Sequence, residues 1–184
     1  MKFLIKWQRG SKVNLAGFYE ESTANGQGFR AVIFVSGCTH HCKGCQNKEA
    51  WDFNYGEEFN EQKRKEIYEK IKENTALQGV TLSGGDPFQS AKGLITLVRD
   101  IKALGKDIWA YTGYTIEELV ELNDPDVDEL LRLTDVLVDG RFIEELLDYD
   151  LLFRGSSNQR IIDLNKLRAG NSLNESLWED DFYD

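Results

Sequence analysis

The sequence predicts an α/β fold with an open, mainly parallel sheet of about five to six strands, which is a partial β/α barrel. Short apolar runs rich in β-branched residues alternate along the chain with longer segments of helical periodicity. Strands that alternate with helices form right-handed β-α-β units, and such units build parallel sheets. About five strands are too few to close an eight-stranded barrel, so we expect the sheet to stay open.

Each predicted strand is a short apolar run. The five runs are Ala31–Val35, Val80–Leu82, Ile108–Tyr111, Val136–Val138 and the weaker Arg160–Ile162. In parallel α/β sheets, ligands bind beyond the carboxyl ends of the strands, where the loops to the helices gather. Four of these loops have an unusual composition, and we expect them to share one mouth: CTHHCKGC, SGGDP, TGYT and DGRF.

Four helices are predicted between the strands. The first begins near Asn60, the second has Ser90 as its N-cap and Gly105 as its stop, and the third begins with a capping box of Thr115 and Glu118. A fourth helix is predicted at Asp126–Leu133. The apolar positions that indicate the first two helices are Ile67 and Ile71 in the first, and Leu94, Leu97, Val98, Ile101 and Leu104 in the second.

Length and charge restrict the possible functions. A chain of 184 residues is long enough for one domain with a substantial core, which we place at residues 1–170, followed by an acidic C-terminal tail at residues 171–184. Lys and Arg total 22 against 32 Asp and Glu, and this net charge of -10 disfavours binding to nucleic acid. No apolar stretch is long enough to span a membrane, and the N-terminal sequence MKFLIKWQRG is too polar for a signal peptide. We therefore expect a soluble, cytoplasmic protein without a membrane partner.

The three cysteines of the chain, Cys38, Cys42 and Cys45, lie within one short loop that follows the apolar run AVIFV. Their odd number and close spacing disfavour disulfides. His40 or His41 would complete a zinc site, but structural zinc sites usually take their ligands from two separated pairs, and no second pair follows. An iron-sulfur cluster with three protein ligands and one open iron is the favoured interpretation. For both histidines, a loop position without a specific role is favoured.

A pair of glycines follows the second predicted strand, in the segment SGGDP. Gly84 and Gly85 permit positive φ and close approach of the backbone to a ligand, while Pro87 stiffens the exit. On its own, the segment is a strand-to-helix turn, capped by Asp86 or Ser90. One strand away from the cysteine loop, it becomes a candidate binding site for the amino group of a charged ligand, held by carbonyl oxygens and Asp86.

Several segments together resemble one protein family. The cysteine spacing CxxxCxxC resembles the hallmark motif of the radical S-adenosylmethionine superfamily. A closer similarity, over about residues 25–163, is to the activating proteins of anaerobic (class III) ribonucleoside-triphosphate reductases. The segments that carry it are NGQGFRAVIFVSGCTHHCKGCQN, WDFNYGEEF, TLSGGDPF, DIWAYTGYT, DVLVDGRF and FRGSSNQRII.

This resemblance implies a radical SAM type of partial barrel and two cofactors, a 4Fe-4S cluster and S-adenosylmethionine. The fourth iron of the cluster would chelate the amino and carboxylate groups of S-adenosylmethionine. The resemblance assigns the cluster to Cys38, Cys42 and Cys45, the adenosyl side to Gly44 and Gln46, which flank the cofactor-binding Cys45, and the methionine end to Gly84, Gly85 and Asp86.

The implied activity is that of an oxidoreductase which installs a glycyl radical on the anaerobic reductase. The reduced cluster would cleave S-adenosylmethionine, and the resulting 5′-deoxyadenosyl radical would take a hydrogen atom from one glycine of the reductase. An electron donor such as flavodoxin would supply the electron, and no catalytic side chain is expected beyond the cofactor sites. The alternatives are an activase of another glycyl-radical enzyme, a radical enzyme acting on a small molecule, and a zinc-binding module without catalysis.

Overall fold

A seven-stranded sheet forms the centre of the structure. The computed structural model describes residues 12–178. The strand order is β3-β1-β2-β4-β5-β6-β7, with β3 and β7 at the two edges, so the sheet is open. The strands are β1 Asn14–Ser22, β2 Arg30–Val35, β3 Glu57–Glu58, β4 Gly79–Gly84, β5 Asp107–Tyr111, β6 Val136–Asp139 and β7 Arg160–Asp163.

The predicted strands are all present, but the predicted sheet was wrong in two respects. It has seven strands rather than five to six, and its pairs are parallel only from β2 through β4 and β5 to β6. The pairs β1–β2, β1–β3 and β6–β7 are antiparallel. Between β6 and β7 the chain forms only a short 3-10 turn at Glu144–Leu146, and without a long crossover the next strand pairs in the antiparallel direction.

The four predicted helices are confirmed. Thr115 and Glu118 form the expected capping box, and the Asn60 side chain accepts a hydrogen bond from the Lys63 amide. Ser90 does precede the second helix, but its hydroxyl donates to the carbonyl of Ser36 instead of capping. Within residues 12–178, no helix is both long and apolar enough to span a bilayer. The helices are α1 Glu61–Glu73, α2 Ala91–Ala103, α3 Ile116–Glu121, α4 Pro125–Leu133, α5 Leu164–Arg168 and α6 Leu173–Ser176.

The two faces of the sheet have different surroundings. In β5, Ile108 and Ala110 pack in the large core with the helices, whereas Trp109 and Tyr111 point to the opposite face, as the alternation of a strand requires. We call this opposite side of the sheet the inner face. There Trp109 packs with Val138 in a small apolar cluster, and the rings of Tyr111 and Phe153 lie against that cluster. The inner face leads towards the carboxyl ends of the parallel strands.

The first part of the predicted acidic tail lies against the sheet. Ser172 caps α6 through a capping box with Glu175, and Leu177 bridges to Ile162 of β7. The ring of Trp178 packs edge-on against Trp109, with 5.1 Å between the ring centroids. Residues 179–184, which carry most of the predicted acidic charge, lie outside the described residues, as does the N-terminal segment 1–11. The domain boundary after residue 170 stays a prediction.

Candidate metal and cofactor site

A cavity of about 430 Å³ opens at the carboxyl ends of the parallel strands. The four loops that were expected to share one mouth all contribute to its lining. A cavity of this size is within the range of small-molecule binding sites. The lining residues from these loops include Cys38, Cys42, Cys45, Gln46, Ser83, Gly84, Gly85, Thr112, Gly113, Gly140 and Phe142.

All three cysteines face this cavity as free thiols. Cys38 is buried, with 8% of its surface exposed, whereas Cys42 and Cys45 are partly exposed at the rim. The Cys38 amide donates to the carbonyl of Trp51 at 3.1 Å, and the Cys45 amide donates to that of Cys42 at 3.2 Å. The loop is thus tied to the segment that follows it and closed by an internal turn.

The donor set fits a cluster better than a single metal ion. Among residues 12–178, no group of three His, Cys, Asp or Glu side chains is placed to hold one ion. In an iron-sulfur cluster each thiolate binds a different iron, so the ligands need not converge on one point. The histidines are also engaged elsewhere, because His40 Nε2 contacts Asp86 at 2.8 Å and the His41 ring packs edge-on against Trp51.

The environment of the loop disfavours ionised thiols when iron is absent. Burial, followed by the negative charge of Asp86, raises the pKa of Cys38 to about 12. Burial and the neighbouring Cys45 raise the pKa of Cys42. Because metals bind the thiolate, loading iron onto these residues must release protons.

We expect Cys38 to be the least reactive of the three thiols in iron-free protein. Its raised pKa keeps it protonated at mildly alkaline pH, where the thiolate is the form that reacts, and its burial limits access. Timed alkylation with iodoacetamide, followed by tandem mass spectrometry, measures the order. In denaturant the difference between Cys38 and Cys45 should vanish. Alkylation of folded Cys38 at the rate of Cys45 would contradict the geometry of the loop.

The paired glycines bring two loops into backbone contact. Gly84 has a φ of +102°, and a Cβ there would lie 2.6 Å from the backbone nitrogen of Val35. A Cβ on Gly85 would lie 2.5 Å from the carbonyl oxygen of Gly37, the residue before Cys38. Both glycines line the cavity. The expected positive φ is confirmed at Gly84, and the closest neighbour of each glycine is the chain that leads into the cysteine loop.

The other predicted site residues occupy different positions. Gln46 is exposed and lines the cavity. Gly44 and Asp86 are not among the residues that line the cavity. Gly44 has a φ of +74° and faces Glu144, which is paired with Lys43 at 2.8 Å. Asp86 is fully buried, with its carboxylate among hydrogen-bond donors of the protein.

Several lining residues were not singled out from the sequence. Tyr111 and Phe153 supply apolar wall from the inner face. The Gln159 side chain accepts from the Gly155 amide at 2.9 Å and donates to the Gly140 carbonyl at 3.0 Å, which joins the loop after β6 to the segment before β7. The alternation of β5 was available as a signal for Tyr111, whereas the irregular segment around Phe153 and Gln159 has no periodicity.

Comparison with known proteins identifies the family. A family model described as a 4Fe-4S single cluster domain matches residues 24–162. The anaerobic ribonucleoside-triphosphate reductase-activating protein of Haemophilus influenzae is 41% identical over 154 residues, which cover 81% of this chain and 97% of that protein. The Escherichia coli K12 protein of the same name is 41% identical over 152 residues, covering 80% and 96%. That of enterobacteria phage T4 is 38% identical over 153 residues, covering 81% and 93%. With such identity along almost the whole length of these relatives, the chain belongs to the family of anaerobic ribonucleoside-triphosphate reductase-activating proteins.

Proposed function

We propose that this chain activates an anaerobic ribonucleoside-triphosphate reductase by installing a glycyl radical on it, with a 4Fe-4S cluster and S-adenosylmethionine as cofactors. The observation that carries the proposal is the meeting of all three cysteines and both turn glycines at one cavity. The names of the relatives, which are activating proteins of that reductase, support the choice of target.

The chain's own contribution is to hold and shield the cofactors. When bound, the cluster supplies the electron that cleaves S-adenosylmethionine and so yields the radical that takes hydrogen from glycine. Cys38, Cys42 and Cys45 would hold the cluster, and the backbone at Gly84 and Gly85 would orient the methionine end. Gln46 would lie on the adenosyl side. Aromatic rings such as that of Tyr111 form an apolar wall, which would keep water away from the reacting atoms.

Exposed apolar groups near the mouth favour a protein target over a small molecule. Phe53 is 43% exposed and its ring lies against Gly37, at the entrance to the cysteine loop. On the other side of that loop, Ile143 and Leu146 are exposed beside Glu144, which contacts Gly44. These exposed side chains would be part of the surface that contacts the reductase.

The proposal also includes the type of barrel, the electron donor and the cellular location of the protein. The parallel order of β2, β4, β5 and β6 supports a partial barrel of the radical SAM type. An electron donor such as flavodoxin would dock where Cys42 and Cys45 are partly exposed. A cytoplasmic location suits three cysteines that must stay reduced.

The test uses protein reconstituted with iron and sulfide without oxygen, a reductant and S-adenosylmethionine, with and without the reductase. We expect the glycyl-radical doublet in electron paramagnetic resonance, on the reductase, only when all components are present. Quantifying 5′-deoxyadenosine in the same samples links cofactor cleavage to radical formation. An intact cluster that cleaves S-adenosylmethionine but never gives the doublet would refute the assigned target.

A further inference from the structure

A buried carboxylate joins three of the loops around the cavity. Asp86 is fully buried, and His40 Nε2 lies 2.8 Å from its Oδ2. The Gly113 amide donates to Oδ2 at 3.0 Å, and the Thr112 hydroxyl lies 2.9 Å from Oδ2 and 3.1 Å from Oδ1. The Phe88 amide donates to Oδ1 at 3.0 Å. Because His40 follows β2, Asp86 follows β4 and Thr112 follows β5, these three loops meet at this carboxylate.

The hydrogen-bonding capacity of Asp86 is filled by the protein. An ionised carboxylate has about four acceptor positions, and four donors of this chain already surround it. Since a carboxylate only accepts, His40 Nε2 carries the hydrogen of its bond with Asp86. Because Asp86 is fully buried and already contacted by these four donors, it is poorly placed to bind the ammonium group of a ligand, and it is not among the residues that line the cavity.

The ring of His40 is held on further sides. It packs edge-on against Tyr114, with 4.5 Å between the ring centroids, and a Cβ on Gly113 would collide with it. His40 is among the residues that line the cavity, but only 5% of its side chain is exposed. Because His40 stands between Cys38 and Cys42, fixing its ring restrains the part of the chain that carries both thiols.

A second connection runs in the same direction. The Thr39 amide donates to Gln89 Oε1 at 3.0 Å, and Gln89 Nε2 donates to the Tyr114 hydroxyl at 3.3 Å. The cysteine loop is therefore joined twice to the turn after β4 and, through it, to the loop after β5.

We propose that Asp86, His40 and Thr112 are positioning residues, which fix the cysteine loop relative to the glycine turn and so keep the residues that would hold the cluster in register with those that would hold S-adenosylmethionine. Asp86 acts through the loops it joins, without touching the ligand. This inference rests on the proposed function. It differs from a purely structural role because moving the loop changes how S-adenosylmethionine binds, even when the cluster is assembled.

The first test uses iron-free protein and compares His40→Asn with His41→Asn. The two substitutions are chemically identical, and Asn tolerates the φ of +49° at His41. Losing one hydrogen bond to a charged group should make amide hydrogen exchange in residues 38–45 about tenfold faster in His40→Asn. Exchange in His41→Asn should match the wild type. Equal exchange in the two variants overturns the proposal.

The second test uses cluster-loaded protein and measures 5′-deoxyadenosine formation per bound cluster at varied S-adenosylmethionine. His40→Asn should raise KM about tenfold, the factor expected from losing one hydrogen bond to a charged group. His40→Gln, whose amide can donate in place of Nε2, should restore most of the affinity. A wild-type KM in His40→Asn, whatever its stability, overturns the proposal.

Thr112→Val keeps the test decisive if His40→Asn assembles no cluster, because Thr112 is outside the cysteine loop and valine has nearly the same shape. Because Thr112 also lines the cavity, the same rise in KM supports the proposal only together with faster amide exchange in residues 38–45 of iron-free Thr112→Val, and wild-type exchange or a wild-type KM overturns it. The exchange experiment needs neither cluster nor reductase. Failure of the wild type to activate the reductase would therefore refute the proposed function separately.

Discussion

Replacing Cys42 with alanine is expected to abolish cluster assembly and all radical formation. The cluster would lose one of its three protein ligands, and the chain has no fourth cysteine to replace it. The fold should survive, because Cys42 is partly exposed at the rim of the cavity and its removal should cost about 1 kcal/mol or less. Iron and sulfide analysis after anaerobic reconstitution, together with circular dichroism, measures both effects.

Thr39→Ala is the matched control for that experiment. Thr39 is exposed on the same loop, and its bond to Gln89 uses the backbone amide, which the substitution keeps. Wild-type iron content is expected in Thr39→Ala. If Cys42→Ala also bound wild-type iron, the assignment of Cys42 as a ligand would be wrong.

Replacing Gly84 with alanine should cause the largest loss of stability among the site variants. The backbone at Gly84 has a φ of +102°, and the new Cβ would overlap the backbone of Val35 in the neighbouring strand. Backbone strain and overpacking together should lower the free energy of unfolding by about 3 kcal/mol or more. Urea denaturation of iron-free protein, followed by circular dichroism, measures the change.

Gly170→Ala separates the two causes. Gly170 has a similar φ of +96°, but no atom lies within 4 Å of its added Cβ. This control should therefore lose only the strain contribution, about 1 to 2 kcal/mol. Equal losses in Gly84→Ala and Gly170→Ala would show that contact with β2 does not require the glycine.

Local sequence signals predicted the elements that depend on local physics. The apolar face of α2 and the capping box at Thr115 are set by residues three or four positions apart, and both are confirmed. The strand β1 was missed because part of it, including Tyr19 and Glu20, is exposed, so it lacks an apolar run. The direction of β7 depends on what the chain does between residues 140 and 159, which has no periodicity to interpret.

The candidate site divides in the same way. The order of strands and loops was enough to expect one mouth, because the carboxyl ends of parallel strands lie together. The surroundings of Asp86 were not predictable, because its partner His40 lies 46 positions away and its partner Thr112 lies 26 positions away. Sequence reasoning therefore assigned Asp86 to the ligand, and favoured no specific role for His40.

The most direct test of the proposed cofactor site is the metal content of anaerobically reconstituted protein, combined with electron paramagnetic resonance of the reduced sample before and after S-adenosylmethionine is added. We expect four irons and four sulfides per chain, as in a 4Fe-4S cluster. We also expect a signal that changes when S-adenosylmethionine binds the open iron. One equivalent of zinc with no iron, or a cluster signal that S-adenosylmethionine leaves unchanged, would refute the proposed site.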